Sequence, residues 1–344
     1  MRQLNNLYFE LTGACNLLCK HCYIFTTEKM RERSDLLTPE LIESAVEQAI
    51  PLGLHTVTFT GGEIFLRKDI REILERTSKY PIKLCLLTNL TLVTEEHIYW
   101  LSKLPIQYIA TSIDGFESVH DQFRGKTGAF KKTMGILKKL KSSGVPIKVS
   151  VTVGNHNIDH AAELFAYFDS LSIPASIAKI APIGRGRLID TSDSVEFDKN
   201  YTHLLSERMS RELIHTREKD FGPPGQVLET FCGVGDSMLY IMSNGKIAFC
   251  PTLNSAQGNE WVVGDLLSQQ LRNIWDSGKI FGEALHCKQI ATCGVGKLCR
   301  GGCRANAFAR TGDISACDTE IYNGIMGWMS SRSQNTNEII YPIT

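Results

Sequence analysis

Three cysteines stand within eight residues near the amino terminus, in the segment CNLLCKHC at positions 15–22. Because Cys15, Cys19 and Cys22 are separated by three and then two residues, their thiolates can converge on one small object. A structural zinc ion takes four protein ligands, and a 4Fe–4S cluster is normally held by four cysteines. Three thiolates on such a cluster leave one iron open to an outside chelator. The alternative is zinc with His21 as its fourth ligand, which needs an awkward geometry beside Cys22.

Composition narrows the function classes. The 344 residues contain 37 Lys and Arg against 37 Asp and Glu, so charge does not favour nucleic acid or an acidic membrane as partner. No apolar run approaches the roughly 20 residues of a membrane span, and no signal peptide precedes the first cysteine. We therefore expect a cytoplasmic protein. Because that compartment disfavours disulfides, clustered thiols there point to metal binding.

The eleven cysteines fall into separate groups. The first three are followed by a lone Cys85, which we expect to be core packing. No cysteine occurs between positions 86 and 231, so the chain has two potential metal-binding regions. The second region contains Cys232, Cys250, Cys287, Cys293, Cys299, Cys303 and Cys317.

The first half of the chain predicts alternating strands and helices. Apolar, β-branched runs predict six strands at 7–12, 55–61, 82–89, 107–114, 146–153 and 172–183. Helical periodicity and capping signals occur between several of them, as at Thr38-Pro39. This pattern indicates an α/β fold with a curved, mostly parallel sheet. Ligands of such sheets lie at the carboxyl ends of the strands. The cysteine loop, Gly61-Gly62-Glu63, Asn89 and Asp114 all lie at or directly after the carboxyl ends of predicted strands.

The cysteine loop followed by Tyr23, with the GGE segment one strand later, resembles the radical SAM superfamily. The resemblance covers about residues 5–185. It implies a partial (β/α)6 barrel with a 4Fe–4S cluster on Cys15, Cys19 and Cys22. S-adenosylmethionine (SAM) would chelate the open iron and be split by reduction to a 5′-deoxyadenosyl radical, which abstracts a hydrogen atom from the substrate.

The same resemblance implies contacts with SAM. Glycines at 61 and 62 allow close backbone approach to a ligand, and Glu63 can accept a charge-assisted hydrogen bond from the methionine ammonium. Without its context, GGE would be an ordinary turn. Ser112 and Asp114 are expected at the ribose hydroxyls, although Ser112 is equally explained as a strand-end hydroxyl. Arg124 is expected to bind the SAM carboxylate. Further expected cofactor contacts are Tyr23, Asn89 and Ser150. Ser150 is equally explained as a strand-end hydroxyl that hydrogen-bonds to the backbone.

The second half predicts a connector and a small cysteine-rich region. Residues 186–230 contain a predicted helix and the breaker at 222–225. The segment MLYIMSNGKIAFC at 238–250 predicts a β-hairpin turning at Asn244-Gly245. An amphipathic helix is predicted over 262–277. We therefore expect three domains, at 1–185, 186–230 and 231–344.

The seven later cysteines resemble the SPASM extension of radical SAM enzymes. The resemblance implies two auxiliary 4Fe–4S clusters. Cys287, Cys293, Cys299 and Cys317 would hold an outer cluster, and Cys232, Cys250 and Cys303 an inner one without an assigned fourth ligand. Cys287 departs from the pattern, because it stands six positions before Cys293 where three are usual, with Ile290 at the expected place. Two zinc knuckles are the alternative explanation.

The resemblance implies a radical SAM oxidoreductase of the peptide-maturing or haem-modifying branch. We expect modification of a ribosomally made peptide by crosslinking, epimerisation or oxidation. The alternatives are modification of a tetrapyrrole or sugar-derived metabolite, and a non-catalytic iron–sulfur or zinc scaffold. A flavodoxin- or ferredoxin-type donor would supply electrons. Because the first predicted strand begins almost at the amino terminus, a separate peptide-recognition protein or the barrel mouth would bind a peptide. The sequence identifies no general acid or base.

Overall fold

The computed structural model describes residues 3–24, 35–189, 197, 199–205, 207, 234, 237–253, 261–277, 287–299 and 301–333. The chain forms two compact units. Unit 1 consists of residues 1–191 and 232–285, and unit 2 consists of residues 192–231 and 286–344. The predicted connector at 186–230 lies largely outside the described residues.

Unit 1 is built on one sheet of nine strands in the order β6-β5-β4-β3-β2-β1-β7-β8-β9. The first seven strands in this order pair in parallel, and β8 and β9 continue the sheet in antiparallel pairing. The strands are β1 (Asn6–Glu10), β2 (Thr56–Thr60), β3 (Lys83–Leu87), β4 (Ile106–Ser112), β5 (Ile147–Val153), β6 (Ala175–Lys179), β7 (Met238–Ile241), β8 (Lys246–Ala248) and β9 (Val262–Asp265).

Seven α-helices of unit 1 have both ends described, and six of them connect the parallel strands. They are α1 (Pro39–Ala49), α2 (Ile70–Thr77), α3 (Glu95–Leu101), α4 (Glu117–Arg124), α5 (Ala129–Ser142), α6 (Ile158–Ser170) and α7 (Leu271–Asp276). Thr38 caps α1 as the sequence predicts, because its side chain accepts a hydrogen bond from the Leu41 backbone N–H and proline follows it.

The two faces of the sheet differ in chemistry. One face is apolar and buried, and it includes Phe9 and Phe59, whose ring centroids lie 5.9 Å apart. Alternation along paired strands puts polar residues on the opposite face. That face carries Tyr8, Glu10, Thr58, Thr60, Cys85, Tyr108, Ser112 and Ser150. The sheet therefore separates an apolar core from a polar side suited to ligands.

All six strands predicted in the first half are present, as is the hairpin of β7 and β8. Gly245 in its turn has φ +82°, a conformation that favours glycine. The predicted helix over 262–277 is wrong in its first part. Residues Val262–Asp265 form β9, whose residues pair with β8 from Lys246 to Ala248, and only Leu271–Asp276 is helical. Pairing with the hairpin edge overrides the helical periodicity there.

Strands β7 to β9 lie in the third predicted domain but extend the sheet of unit 1. The three-domain division thus differs from the compact units, and it stays a prediction. Unit 2 contains α8 (Gly296–Cys299), α9 (Arg304–Thr311) and α10 (Thr319–Ser333). Among the described helices, none has both the length and the apolar character that crossing a membrane requires.

Candidate cluster-binding site

The backbone of the GGE segment holds the cysteine loop in place. Gly62 N–H donates to the Thr12 carbonyl at 2.8 Å, and Glu63 N–H donates to the Ala14 carbonyl at 2.8 Å. A Cβ on Gly62 would lie 2.1 Å from the Ala14 carbonyl oxygen, closer than any side chain allows. Glycine at this position is therefore required by the loop itself, before any cofactor is considered.

The Glu63 carboxylate is fully buried and joins the ends of two strands. It accepts hydrogen bonds from Phe65 N–H at 3.0 Å, Thr88 Oγ1 at 2.7 Å and Asn89 N–H at 2.8 Å. Burial raises the pKa of Glu63, and these three hydrogen bonds oppose the rise. Since a carboxylate has about four acceptor positions, one remains for an ammonium group.

Asn89 also connects to the cysteine loop. Its side-chain nitrogen donates to Asn16 Oδ1 at 2.9 Å, and Asn16 Nδ2 donates to Thr91 Oγ1 at 2.8 Å. The Thr12 hydroxyl oxygen accepts from Ala14 N–H at 3.0 Å. Thr12, Asn16 and Thr91 were not among the site residues predicted from the sequence. The contacts of Asn16 with Asn89 and Thr91 cross more than 70 residues, so only the neighbouring cysteines and Asn89 could have drawn attention to Asn16 and Thr91. Thr12 could have been noticed only by its place next to the cysteine loop.

The end of α4 lies along the other side of the loop. Leu18 N–H donates to the Arg124 carbonyl at 3.1 Å, and Lys20 N–H donates to the Phe123 carbonyl at 2.9 Å. Arg124 Nη1 lies 3.6 Å from the Cys19 sulfur, and Nη2 lies 2.6 Å from Asp114 Oδ2. Thus Arg124 brings positive charge to a cysteine of the loop while it pairs with a buried carboxylate.

The Asp114–Arg124 pair is almost completely buried. Burial opposes ionisation of Asp114, but the Arg124 charge, the nearby His21 and His120 and the Thr152 backbone hydrogen bond together outweigh it, and the pKa of Asp114 is lowered. Asp114 Oδ1 also accepts from Thr152 N–H at 3.1 Å. Each group therefore has a partner within the protein, and the expected contacts with the ribose and carboxylate of SAM stay predictions.

The three thiols lie together in a shielded environment. Leu17, Cys19 and Ala129 form a buried cluster, against which Cys15 and Cys22 pack. Burial raises the pKa of Cys15 to about 11, with the Cys19 charge as a further cause, and burial also raises the pKa of Cys19. Since metals bind thiolates, loading this site at neutral pH must release protons.

The surroundings fit a polar cofactor beside a cluster. Arg124 Nε, His21 Nδ1 and both ring nitrogens of His156 are buried and have no hydrogen-bond partner in the described part of the chain. Buried polar groups without partners cost about 1–3 kcal/mol each, so their presence together favours a ligand that supplies partners.

The thiols also fit a cluster better than one ion. Among the described residues, no three His, Cys, Asp or Glu side chains are arranged to hold a single metal ion. A set of three thiolates is one short of the four ligands of a structural zinc ion, and it suits a 4Fe–4S cluster on Cys15, Cys19 and Cys22 with one open iron.

The other expected SAM contacts lie in unit 1 as well. Ser112 and Ser150 are paired neighbours on β4 and β5, on the polar face of the sheet. Burial raises the pKa of Tyr23, and the charges of Cys22, Glu10 and Cys250 add to the rise. The Tyr23 hydroxyl is thus near one cysteine of the first group and one of the second. Which of these residues touch SAM stays a prediction.

Unit 2 brings together the four cysteines expected at the outer cluster. Burial is the main cause that raises the pKa of Cys299 and of Cys317. The charges of Cys317 and Cys287 raise the pKa of Cys299 further. The charges of Cys287 and Cys293 raise the pKa of Cys317 further. Lys288 N–H donates to the Ser315 carbonyl at 2.9 Å, so the segment beside Cys287 is hydrogen-bonded to the segment before Cys317.

The unusual spacing before Cys293 is taken up by turns. Ile290 N–H donates to the Cys287 carbonyl at 3.0 Å, and Cys293 N–H donates to the Gln289 carbonyl at 2.9 Å. These turns return the chain towards Cys287, which supports its assignment as a ligand. Of the cysteines expected at the inner cluster, Cys250 belongs to unit 1 and Cys303 to unit 2, and Cys232 lies outside the described residues.

Comparison with known families agrees with this geometry. The Radical SAM superfamily profile matches residues 9–168, which contain the cysteine loop, the GGE segment and α4. The fold and the site thus define a radical SAM protein. The SPASM profile, described as an iron-sulfur cluster-binding domain, matches residues 232–303. The chain belongs to the radical SAM enzymes that carry an SPASM domain, and its cofactors are iron–sulfur clusters and SAM.

Several relatives match most of the chain. An AdoMet-dependent heme synthase of Methanosarcina barkeri is 26% identical over 89% of this chain and 92% of its own length. The mycofactocin maturase MftC of Mycolicibacterium smegmatis is 27% identical over 92% of this chain and 82% of its own. The crystal structure of Streptococcus suis SuiB bound to precursor peptide SuiA superposes with a TM-score of 0.70 at 17% identity, covering 93% of this chain and 76% of that one.

Proposed function

We propose that the enzyme modifies a ribosomally made peptide by radical chemistry, making a crosslink, an epimer or an oxidised side chain. When bound, the cluster on Cys15, Cys19 and Cys22 would split SAM and supply the 5′-deoxyadenosyl radical. The observation that carries the proposal is the convergence of these thiols with Glu63 and the buried Arg124 at the carboxyl edge of the sheet. Peptide chemistry is supported by the maturase relative and by the peptide-bound fold neighbour.

The chain's own residues would then act on SAM. Glu63 would bind the methionine ammonium with its remaining acceptor position, and Arg124 would bind the carboxylate. Asn89, Gly61 and Gly62 would hold the loop at the distance that this contact needs. A flavodoxin- or ferredoxin-type protein would deliver electrons, and a separate recognition protein would present the peptide.

Anaerobic reconstitution tests the chemistry. We expect about 12 iron per chain from three 4Fe–4S clusters, and 5′-deoxyadenosine on addition of SAM and dithionite. Alanine at positions 15, 19 and 22 should abolish that product. Zinc with little iron would reject the proposal. The substrate is then tested with any short peptide found to be encoded beside the gene, for which a mass change dependent on SAM is expected.

A tetrapyrrole is the second candidate substrate. It is favoured by the heme synthase relative, which this chain matches over 92% of the relative's length. Incubation with an iron porphyrin bearing propionate groups would decide between the two. Loss of mass from the porphyrin, with no change in any peptide, would replace the peptide proposal.

A further inference from the structure

The cysteine loop presents one large apolar side chain to solvent. Leu18 is 60% exposed, although the next residue, Cys19, is buried. A single exposed leucine is ordinary on a protein surface. Its position between two cysteines of the loop, Cys15 and Cys19, places it on the protein surface next to a cluster held there.

The end of α4 forms one continuous surface with Leu18. Gly125 ends α4 with φ +68°, and a Cβ at this position would lie 3.0 Å from Leu18 Cβ. Lys126 follows directly, and Lys20 is hydrogen-bonded through its backbone to the last turn of α4. Both lysines are exposed. We name Leu18, Lys20 and Lys126 the Leu18 patch.

Exposed lysines adjoin this patch although the whole chain carries no net charge. The end of α4 and the start of α5, residues 117–132, contain Lys126, Lys131 and Lys132 against two carboxylates, and the charge of Arg124 is balanced by Asp114. Both carboxylates are engaged locally, because Glu117 pairs with Lys131 at 2.9 Å and Asp121 accepts from the Phe130 backbone N–H at 2.8 Å. Within the described residues, Lys20 and Lys126 form no ion pair.

We propose that the Leu18 patch is the docking surface for an acidic one-electron carrier protein of the flavodoxin type. The inference rests on the proposed function, which requires the cluster to be reduced. In each encounter the carrier loses one electron and the cluster gains it. An exposed leucine between two exposed lysines suits such a partner, because opposite charge steers the encounter while a small interface lets the carrier leave.

Binding tests the proposal without relying on turnover. The probe is a purified acidic flavodoxin, and its Kd for the reconstituted enzyme is measured by titration at about 0.05 M and about 0.3 M salt. The variant Lys20→Glu/Lys126→Glu should raise the Kd about tenfold at low salt, and high salt should reduce this difference. The matched control is Lys83→Glu/Lys103→Glu, which changes two exposed lysines near the amino ends of β3 and β4 and should leave the Kd within about twofold.

A second measurement compares two reductants. Flavodoxin-driven formation of 5′-deoxyadenosine should fall about tenfold in the double variant, whereas formation driven by dithionite should stay at the wild-type rate, because a small reductant needs no docking surface. Absence of the product with dithionite in the wild-type enzyme would reject the proposed function, not the docking surface.

Because Lys20 adjoins Cys19, the single variant Lys126→Glu decides the matter if the double variant loses its cluster. An unchanged flavodoxin Kd for Lys126→Glu, or an equal change for the control pair, overturns the proposal. So does a loss of affinity confined to an acidic peptide substrate, since the patch would then serve the substrate.

Discussion

At the scale of single residues, the buried pair of Asp114 and Arg124 has a large energetic consequence. Their side chains are 0% and 9% exposed, and the charged atoms lie 2.6 Å apart. Such a pair adds little net stability compared with an apolar substitute, but removing one partner leaves an uncompensated charge. The pair therefore fixes the end of α4, and through it the cysteine loop.

The variant Asp114→Asn should lower the free energy of unfolding of the reconstituted enzyme by about 3–5 kcal/mol, because Arg124 stays buried without its counter-charge. Urea unfolding followed by tryptophan fluorescence measures it. The control is Glu75→Gln, which breaks the exposed pair with Arg71 on α2 and should cost less than about 0.5 kcal/mol. Equal losses in the two variants would contradict the role assigned to burial.

The residues of the site were only partly predictable from sequence. Cys15, Cys19 and Cys22 are identified by spacing alone, and the GGE segment by its place after β2. The pairing of Asp114 with Arg124 was not predicted, because each was interpreted as a contact for SAM. It depends on the way α4 turns back over the loop after β4, and no local pattern encodes that path.

At the scale of elements, backbone hydrogen bonds join the loop after β1 to the turn after β2. Gly61 has φ +150°, and a Cβ there would lie 2.6 Å from the Thr12 carbonyl oxygen. The strands were predictable because their apolar alternation is local. The contact between these two turns was not, since it depends on the parallel register that sets Glu10 beside Thr60.

The variant Gly62→Ala should displace the cysteine loop, because the new Cβ would meet backbone atoms of Ala14 that cannot move independently. We expect the iron bound after reconstitution to fall by about four per chain, the content of one cluster. Gly135→Ala on α5 is the matched control, since open space surrounds it and alanine favours a helix by about 1 kcal/mol. Full iron in Gly62→Ala would show that the loop tolerates the shift.

The hairpin is attached to β1 by a buried carboxylate. Glu10 accepts hydrogen bonds from the Tyr240 hydroxyl and from Ser243 Oγ, the latter at 3.1 Å. These partners are 230 and 233 positions away, so no local sequence pattern indicates the contact. It exists because β7 adds to the sheet in parallel beside β1.

The variant Tyr240→Phe should cost about 1–3 kcal/mol of folding free energy, since it removes a donor from a carboxylate that is 1% exposed. Tyr99→Phe is the control, because Tyr99 is 66% exposed and water can replace its hydrogen bonds. Differential scanning calorimetry of both variants measures the difference. If Tyr240→Phe lowered Tm no more than Tyr99→Phe does, the buried hydrogen bond from Tyr240 to Glu10 would not stabilise the fold.

At the scale of the whole molecule, the two compact units divide the cysteines unevenly. Unit 1 contains the loop of Cys15, Cys19 and Cys22, and unit 2 contains all four cysteines expected at the outer cluster. A ligand set confined to one unit can fold around its own metal, which compensates for the small core that such a region can build. The outer cluster should therefore be removable without loss of the first one.

The triple variant Cys293→Ala/Cys299→Ala/Cys317→Ala tests this independence. We expect it to lose about four of about 12 iron per chain, because one ligand cannot hold a 4Fe–4S cluster. Formation of 5′-deoxyadenosine with dithionite should persist, since the thiols that bind the first cluster are unchanged. Cys85→Ala is the control, because this cysteine is 1% exposed on β3 and is expected to bind no metal. Loss of all iron in the triple variant would mean that unit 1 cannot hold its cluster alone, and the division of roles between the units would have to be abandoned.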